Sequence, residues 1–247
     1  MKRFILISLI ICFYLTAQGA QANLLPDSDS DGVPDNDEIN IYHTDPKDRD
    51  TDKDGYSDWI ELVSGYSPLN NKPVKLEDND FDKDGLSDRM ELNFHTNLDN
   101  PDTDGDGYKD GDEIASGYDP SQGERSVLEK RIEINTGAQE LSYFLGGVRM
   151  QIYSISSGIN RATPTGYFTV TKKSPKAWSP YGLWMPNWLG LDSGRIGIHE
   201  LPVWPNGYVE GEDHLGRPVS HGCIRLGHKE AAFLYNWTPI GTKVFIY

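Results

Sequence analysis

One pattern occurs four times in the first half of this chain: Asp-x-Asp-x-Asp-Gly-x-x-Asp-x-x-Glu. The first copy uses Asp27, Asp29, Asp31, Asp35 and Glu38; the second Asp50, Asp52, Asp54, Asp58 and Glu61. The third uses Asp80, Asp82, Asp84, Asp88 and Glu91; the fourth Asp102, Asp104, Asp106, Asp110 and Glu113. Carboxylates at this density repel one another and need a counter-charge to fold. The order suits a hard divalent cation. Side chains at positions 1, 3 and 5 converge, glycine at 6 allows a sharp turn, the carbonyl at 7 binds and the glutamate at 12 closes the shell. The glycines are Gly32, Gly55, Gly85 and Gly107, and the carbonyls belong to Val33, Tyr56, Leu86 and Tyr108. Calcium fits this flexible shell; magnesium wants a tighter octahedron and keeps its waters.

Charge divides the chain. Residues 23–123 carry 28 Asp and Glu against 8 Lys and Arg, whereas residues 124–247 carry 10 against 13. An acidic half of this kind excludes nucleic acid as a partner. A solvated acidic tail is the plainer reading, yet an apolar residue follows each closing glutamate (Ile39, Leu62, Leu92, Ile114), and a disordered tail needs no such regularity. EF-hand pairs need two helices between loops. Only residues 39–49 and 92–101 are available, and Pro46 and Pro101 interrupt them. With its Thr44-Asp45-Pro46 and Tyr118-Asp119-Pro120 phrases, the segment from 27 to about 120 resembles the bacterial thrombospondin type 3 repeat. The resemblance implies short loops stacked along a string of calcium ions, an elongated domain in which folding and ion binding are one process. The copies start 23, 30 and 22 residues apart, so an ion shared between neighbours is expected to be missing in the middle.

Residues 1–22 read as an export signal. Lys2 and Arg3 precede an apolar run, Phe4 to Leu15, and Ala20-Gln21-Ala22 gives a small-x-small cleavage site. The run is short for a membrane span, although an uncleaved anchor is the alternative, and no later segment is apolar enough to span. The mature chain is expected to begin at Asn23 and to work in the periplasm or cell envelope. Cys12 leaves with the signal, and Cys223 is then the sole thiol. The expected division is 1–22 signal, 23–122 repeats and 123–247 a second domain.

That second domain reads as mostly β with one helix. Alternation predicts strands at 131–135, 165–171 and 243–247, and a hairpin at 141–155 around Gly146-Gly147. Short apolar runs cover 195–199 and 223–226. Residues 229–236 form one helix with Ala231, Leu234 and Tyr235 on a common face. Residues 175–191, rich in Trp, Pro and Gly, read as a long loop in which Trp178, Trp184 and Trp188 pack more readily than they bind sugar. Glu200, Glu210, Glu212 and Asp213 read as a solvated face.

A lone thiol is either a small buried hydrophobe or a nucleophile. Cys223 sits in Ser220-His221-Gly222-Cys223-Ile224-Arg225-Leu226. A nucleophilic thiolate needs a neighbouring base, and His199, His221 and His214 are candidates. His221 and Cys223, two apart in an extended segment, would share a face. Gly222 lets a substrate approach the backbone, and N–H groups around it would form an oxyanion hole. Zinc held by His199, His214, His221, His228 and Cys223 lacks the usual ligand spacing, and a sortase strand is absent.

From about Arg131 to Tyr247 the chain resembles the L,D-transpeptidase (YkuD-type) catalytic domain. Three pieces carry the resemblance: Thr163-Pro164-Thr165-Gly166-Tyr167-Phe168, Ile198-His199-Glu200 and the cysteine heptapeptide. It implies a β-sandwich with one helix, Cys223 as nucleophile, His199 as base, and a carbonyl just after His199 to orient the ring. Ser220, His221 and Gly222 would shape the pocket, and Arg225, where the family often has Asn, would support the site or meet a substrate carboxylate. It implies acyl transfer from a peptidoglycan stem tetrapeptide to an amine, giving a 3→3 cross-link or an attached envelope protein, with no cofactor in the chemistry. Hydrolysis by an L,D-carboxypeptidase, or a calcium-dependent adhesin or scaffold, are the alternatives. The family's motif usually has fewer residues between base and Ser-His-Gly-Cys than the 20 counted here, so an insertion is expected within 202–216, with His214 as a rival base. Chelation is expected to unfold the repeats and spare the isolated catalytic half.

Overall fold

Each acidic loop turns into one short helix, because the ninth-position aspartate opens a run of helix formers whose closing glutamate lies one turn on. The computed structural model describes residues 25–123, 125–192 and 194–247; the export signal expected over residues 1–22 lies outside them. Helix α1 spans Asp35–Asp37 and continues as a wider π-turn over Glu38–Tyr42; α2 spans Asp58–Ser64, α3 Asp88–Phe94 and α4 Asp110–Ser116. Each stops at a left-handed residue, His43, Gly65, His95 or Gly117. One helix per loop agrees with stacked repeats and not with EF-hands.

The loops come in pairs. Asp31 Oδ2 accepts the Trp59 N–H at 3.0 Å, and Asp84 Oδ2 accepts the Gly111 N–H at 2.7 Å. Fifth-position aspartates of loops 1 and 3 thus cap the helices that follow loops 2 and 4.

The connection out of each pair follows one design. After loop 2, Tyr66 bridges Lys75, Ser67 N donates to Val74 O, and Leu76 N donates to Gly65 O. After loop 4, Tyr118 bridges Val127, Asp119 N donates to Ser126 O, and Leu128 N donates to Gly117 O, every one 52 positions further along. The chain therefore enters the second half as it enters the third repeat, by folding straight back onto the helix before it.

The second half contains strands β1 (Lys130–Asn135), β2 (Glu140–Leu145), β3 (Val148–Ser154), β4 (Gly166–Trp178), β5 (Trp184–Leu191), β6 (Gly197–Glu200), β7 (Ile224–Leu226) and β8 (Lys243–Ile246), with helix α5 (His228–Trp237) before β8. Their order is β3-β2-β1-β8-β4-β5-β6-β7. Strand β4 joins two sheets: residues 166–169 pair with β8, and Val170 to Trp178 pair with β5. The two sheets close on one core. Ile132 and Ile134, Val244 and Ile246, Leu189 and Leu191, and Ile224 and Leu226 alternate inward and meet Ala231 and Leu234 of α5. The mostly β class with one helix is borne out. The long loop expected over 175–191 is instead a hairpin, with β4 running to Trp178 and β5 starting at Trp184. Cross-strand pairing of Trp178 with Trp184 overrides the local Pro and Gly signal. Among the described residues no helix is long and apolar enough to cross a membrane.

Candidate active site

Residues 220–223 form a turn, not the extended segment expected. Ser220 Oγ donates to the Cys223 carbonyl at 2.6 Å and accepts the Gly222 N–H at 3.0 Å. Gly222 has φ 134°, and a Cβ there would lie 3.1 Å from the Ala162 carbonyl oxygen, so the position requires glycine. The Gly222 N–H, expected as an oxyanion donor, is engaged by Ser220. Thr163 clamps the turn from behind: its Oγ1 donates to Gly222 O at 2.8 Å and accepts the Gly158 N–H at 2.7 Å. Nothing in the sequence alone gave Thr163 this role; its place in the matched Thr163-Pro164-Thr165-Gly166 piece was the available signal.

His199 lies in β6, parallel to β7 and opposite Arg225. Its Nδ1 is 2.5 Å from the Glu200 carbonyl oxygen. A carbonyl only accepts, so Nδ1 carries the proton and Nε2 presents a lone pair. The Glu200 carboxylate is fixed by Asn187 Nδ2 at 2.8 Å and His228 Nδ1 at 2.7 Å. Trp188 stacks on the His199 ring at 5.7 Å between centroids. A Cβ on Gly197 would stand 2.6 Å from the Trp188 indole, and one on Gly190 2.8 Å from its Nε1. Two glycines thus seat the ring that covers the histidine.

A cavity of about 630 Å³ is lined by Cys223, His199, Ser220, His221 and Arg225. Cys223 is partly exposed. His221 is exposed and stacks on Tyr181, with centroids 4.1 Å apart. Lys172 and Arg195 add positive charge, and no Asp or Glu stands among the described residues lining the cavity. Burial lowers His199 to about 4, outweighing the bond to Glu200, and the Arg225 charge lowers it further. Burial pushes the Cys223 thiol up, against a backbone hydrogen bond at Gly197 and the Arg225 charge. The resting pair is therefore neutral thiol and neutral imidazole.

Residues 202–216, where an insertion is expected, include a small ribbon in which Val203 bridges both Trp184 and Val209. It delivers Glu210, whose Oε2 accepts from Arg225 Nη1 at 2.7 Å and lies 3.7 Å from His214 Nδ1. Glu200 is itself buried and Glu210 pairs with the buried Arg225, so neither belongs to the solvated face expected of them; Asp213 is exposed and pairs with Arg217. The side chain of Glu212 lies outside the described residues. His214 faces Glu210 outside the cavity wall. His228 pairs with Glu200 and His221 stacks on Tyr181; among the described residues only the four aspartate triplets bring three or more ligand atoms close enough for an ion, and no group of histidines with Cys223 does.

The acidic loops hold a second kind of site. Carboxylate oxygens of Asp27, Asp29 and Asp31 lie within 4.8 Å of one another, as do those of Asp50, Asp52 and Asp54, of Asp80, Asp82 and Asp84, and of Asp102, Asp104 and Asp106. Glu38, Glu61, Glu91 and Glu113 are buried with at least one oxygen free of any hydrogen-bond partner. Burial first, then the aspartates around them, push Glu61 up to about 8 and Glu91 up to about 9. Such unpaired buried oxygens fit a hard cation. Ninth-position aspartates are engaged differently. Asp58 accepts from Thr51 N and Oγ1, Asp110 from Thr103 N and Oγ1, Asp35 from Ser28, and Asp88 from Phe81 N, Ser67 and Asn79. They brace the loop from its far side.

Comparison with known proteins places both halves. Residues 129–246 match the L,D-transpeptidase catalytic domain, and residues 27–48 and 102–122 match the bacterial TSP3 repeat. YqjB of Bacillus subtilis (strain 168), whose name assigns it to the L,D-transpeptidases, is 31% identical over 145 residues, which is 53% of this chain and 75% of YqjB. YkuD of the same organism is 32% identical over 116 residues, 47% of this chain and 64% of YkuD. A solved L,D-transpeptidase from Mycobacterium smegmatis is 22% identical with a TM-score of 0.42, and the match covers 50% of this chain and 60% of that one. On the strength of the match to YqjB, this chain belongs to the L,D-transpeptidase family.

Proposed function

We propose that the protein cross-links or modifies peptidoglycan outside the cytoplasm through Cys223, with a calcium-stabilised repeat array at its N-terminal side. In the first step Cys223 Sγ attacks the carbonyl of the third, diamino acid residue of a stem tetrapeptide. His199 Nε2 takes the thiol proton and returns it to the departing D-alanine amine, leaving a thioester. An acceptor amine then attacks the thioester, and the thiol is restored as the amide forms. Arg225, held by Glu210, keeps positive charge beside the reacting pair. Lys172 and Arg195 give the cavity the charge an anionic peptide needs.

The observation that carries this reading is one cavity lined by both Cys223 and a histidine whose Nδ1 is tied to a carbonyl, which leaves Nε2 as the base. Calcium would be held by the converging aspartates and closing glutamates, and when bound it supplies the charge that lets the repeats fold. Intact mass after incubation with a carbapenem tests the nucleophile. The expected result is one covalent adduct on the native chain and none on Cys223→Ala. An adduct that survives in the variant would overturn the assignment. Products from wall fragments test the transfer step, and release of tripeptide alone would replace transferase with carboxypeptidase.

A further inference from the structure

The ion loops and the catalytic fold share a core. Leu86, Phe94 and Ile114 close an apolar cluster with Leu145 of β2, and Leu128 and Val148 pack against it. Two of these residues sit on the loops that hold the ions. Leu86 is the seventh residue of loop 3, so its carbonyl faces the expected ion while its side chain, 7% exposed, lies in the cluster. Ile114 follows Glu113, which closes loop 4, and is 5% exposed. The Asp84–Gly111 bond ties the two loops to each other. Loops 1 and 2 place no residue in this cluster.

The consequence is mechanical. Glu91 and Glu113 each bury two carboxylate oxygens that no group among the described residues satisfies. Without a cation these loops relax to hydrate or protonate their acids. Leu86 and Ile114 are built into the same backbone, so relaxation withdraws them from Leu145. We propose that calcium in loops 3 and 4 braces the β2–β3 hairpin, so that the ion content of this pair, and not that of loops 1 and 2, sets the stability of that hairpin. The inference rests on the reading of the loops as calcium sites. It replaces two independent halves by one coupled unit, in which the catalytic fold occupies the place of a following repeat.

Hydrogen exchange in the full chain tests it, with bound calcium counted by native mass spectrometry and exchange in β6 and β7, which place no residue in the cluster, as the fold control. With calcium near a hundred times its dissociation constant, exchange over residues 140–154 should slow by up to about 100-fold for each ion released on opening. Glu91→Gln with Glu113→Gln should remove that protection, and Glu38→Gln with Glu61→Gln should keep it. Leu86→Ala should keep the ions and lose the protection. Calcium bound while hairpin exchange stays unchanged would overturn the coupling and leave the calcium reading intact, as would equal losses in the two double variants. A chain that binds no calcium would overturn both.

Discussion

His199 Nδ1 and the carbonyl oxygen of Glu200 stand 2.5 Å apart, a contact made between consecutive residues of one strand. The same residue that orients the ring through its backbone is itself held by Asn187 and His228 through its carboxylate. Trp188 covers the ring, and burial keeps it neutral. In the proposed mechanism, a base assembled this way would be ready at neutral pH without a charge, and the Cys223 thiol would wait protonated until a substrate carbonyl is in place. Proton transfer and attack then belong to one event.

The pH profile of Cys223 acylation follows. His199 ionises at about 4, below its ordinary 6.5, because burial penalises the cation. It is therefore competent as a base at every pH above that value. The acylation rate should stay level from about pH 5 to pH 8. Pre-steady-state acylation measured by mass spectrometry checks this, and an acid limb centred near the ordinary histidine value would contradict the buried neutral base.

Stability should carry the same signature. Between pH 6.5 and about 4 the unfolded chain binds a proton at this histidine and the folded chain does not. The unfolded state gains from acid, so stability falls as pH falls through that window, by about 3 kcal/mol in all. Denaturant titrations of the native chain and His199→Gln should diverge in slope across this range. Parallel curves would show that the ring is hydrated in the native state.

What could be read in advance divides along physical lines. Loop positions, the single helix and the alternating strands are local patterns, and each appears where its spacing puts it. The hairpin over 175–191 was hidden because Pro175, Pro180 and Pro186 speak locally for a loop while strand pairing is a tertiary gain. His199 and Cys223 were visible as residues able to do this chemistry. Thr163, Trp188 and Glu210 were not visible in their roles, since their partners lie 59, 11 and 15 residues away and only the fold brings them together.

Thr163 tests the support of the cysteine turn. Valine has nearly its shape but leaves the Gly158 N–H and the Gly222 carbonyl without their partner. Thr163→Val should cost about 1–3 kcal/mol and slow acylation while leaving Cys223 the only site modified at saturation. Thr165 is exposed, and Thr165→Val should stay within about 0.5 kcal/mol of the native chain. Thermal midpoints and adduct formation rates report both effects. A silent Thr163→Val would mean that Ser220 alone holds the turn.

Gly111 tests whether loops 3 and 4 act as one unit. A Cβ on this residue would stand 2.7 Å from the Asp84 carbonyl oxygen and 3.1 Å from Leu86 N. Backbone cannot yield as a flexible side chain does, so Gly111→Ala must part the two loops and stretch the bond from its N–H to Asp84. Its helical position makes alanine favourable in isolation, which gives the prediction its sign: the clash outweighs the propensity gain, for a net loss of about 1–3 kcal/mol. Gly111 contributes no carboxylate of its own, but Asp84, which it contacts, belongs to the converging group of loop 3, so the strain in loop 4 reaches an ion ligand of loop 3. Ser116, exposed at the end of the same helix, supplies the comparison, and Ser116→Ala should be nearly neutral. Calorimetric titration should then show calcium affinity reduced in Gly111→Ala and retained in Ser116→Ala. If Gly111→Ala binds calcium as tightly as the native chain, the paired loops fill independently and the contact between them is only packing.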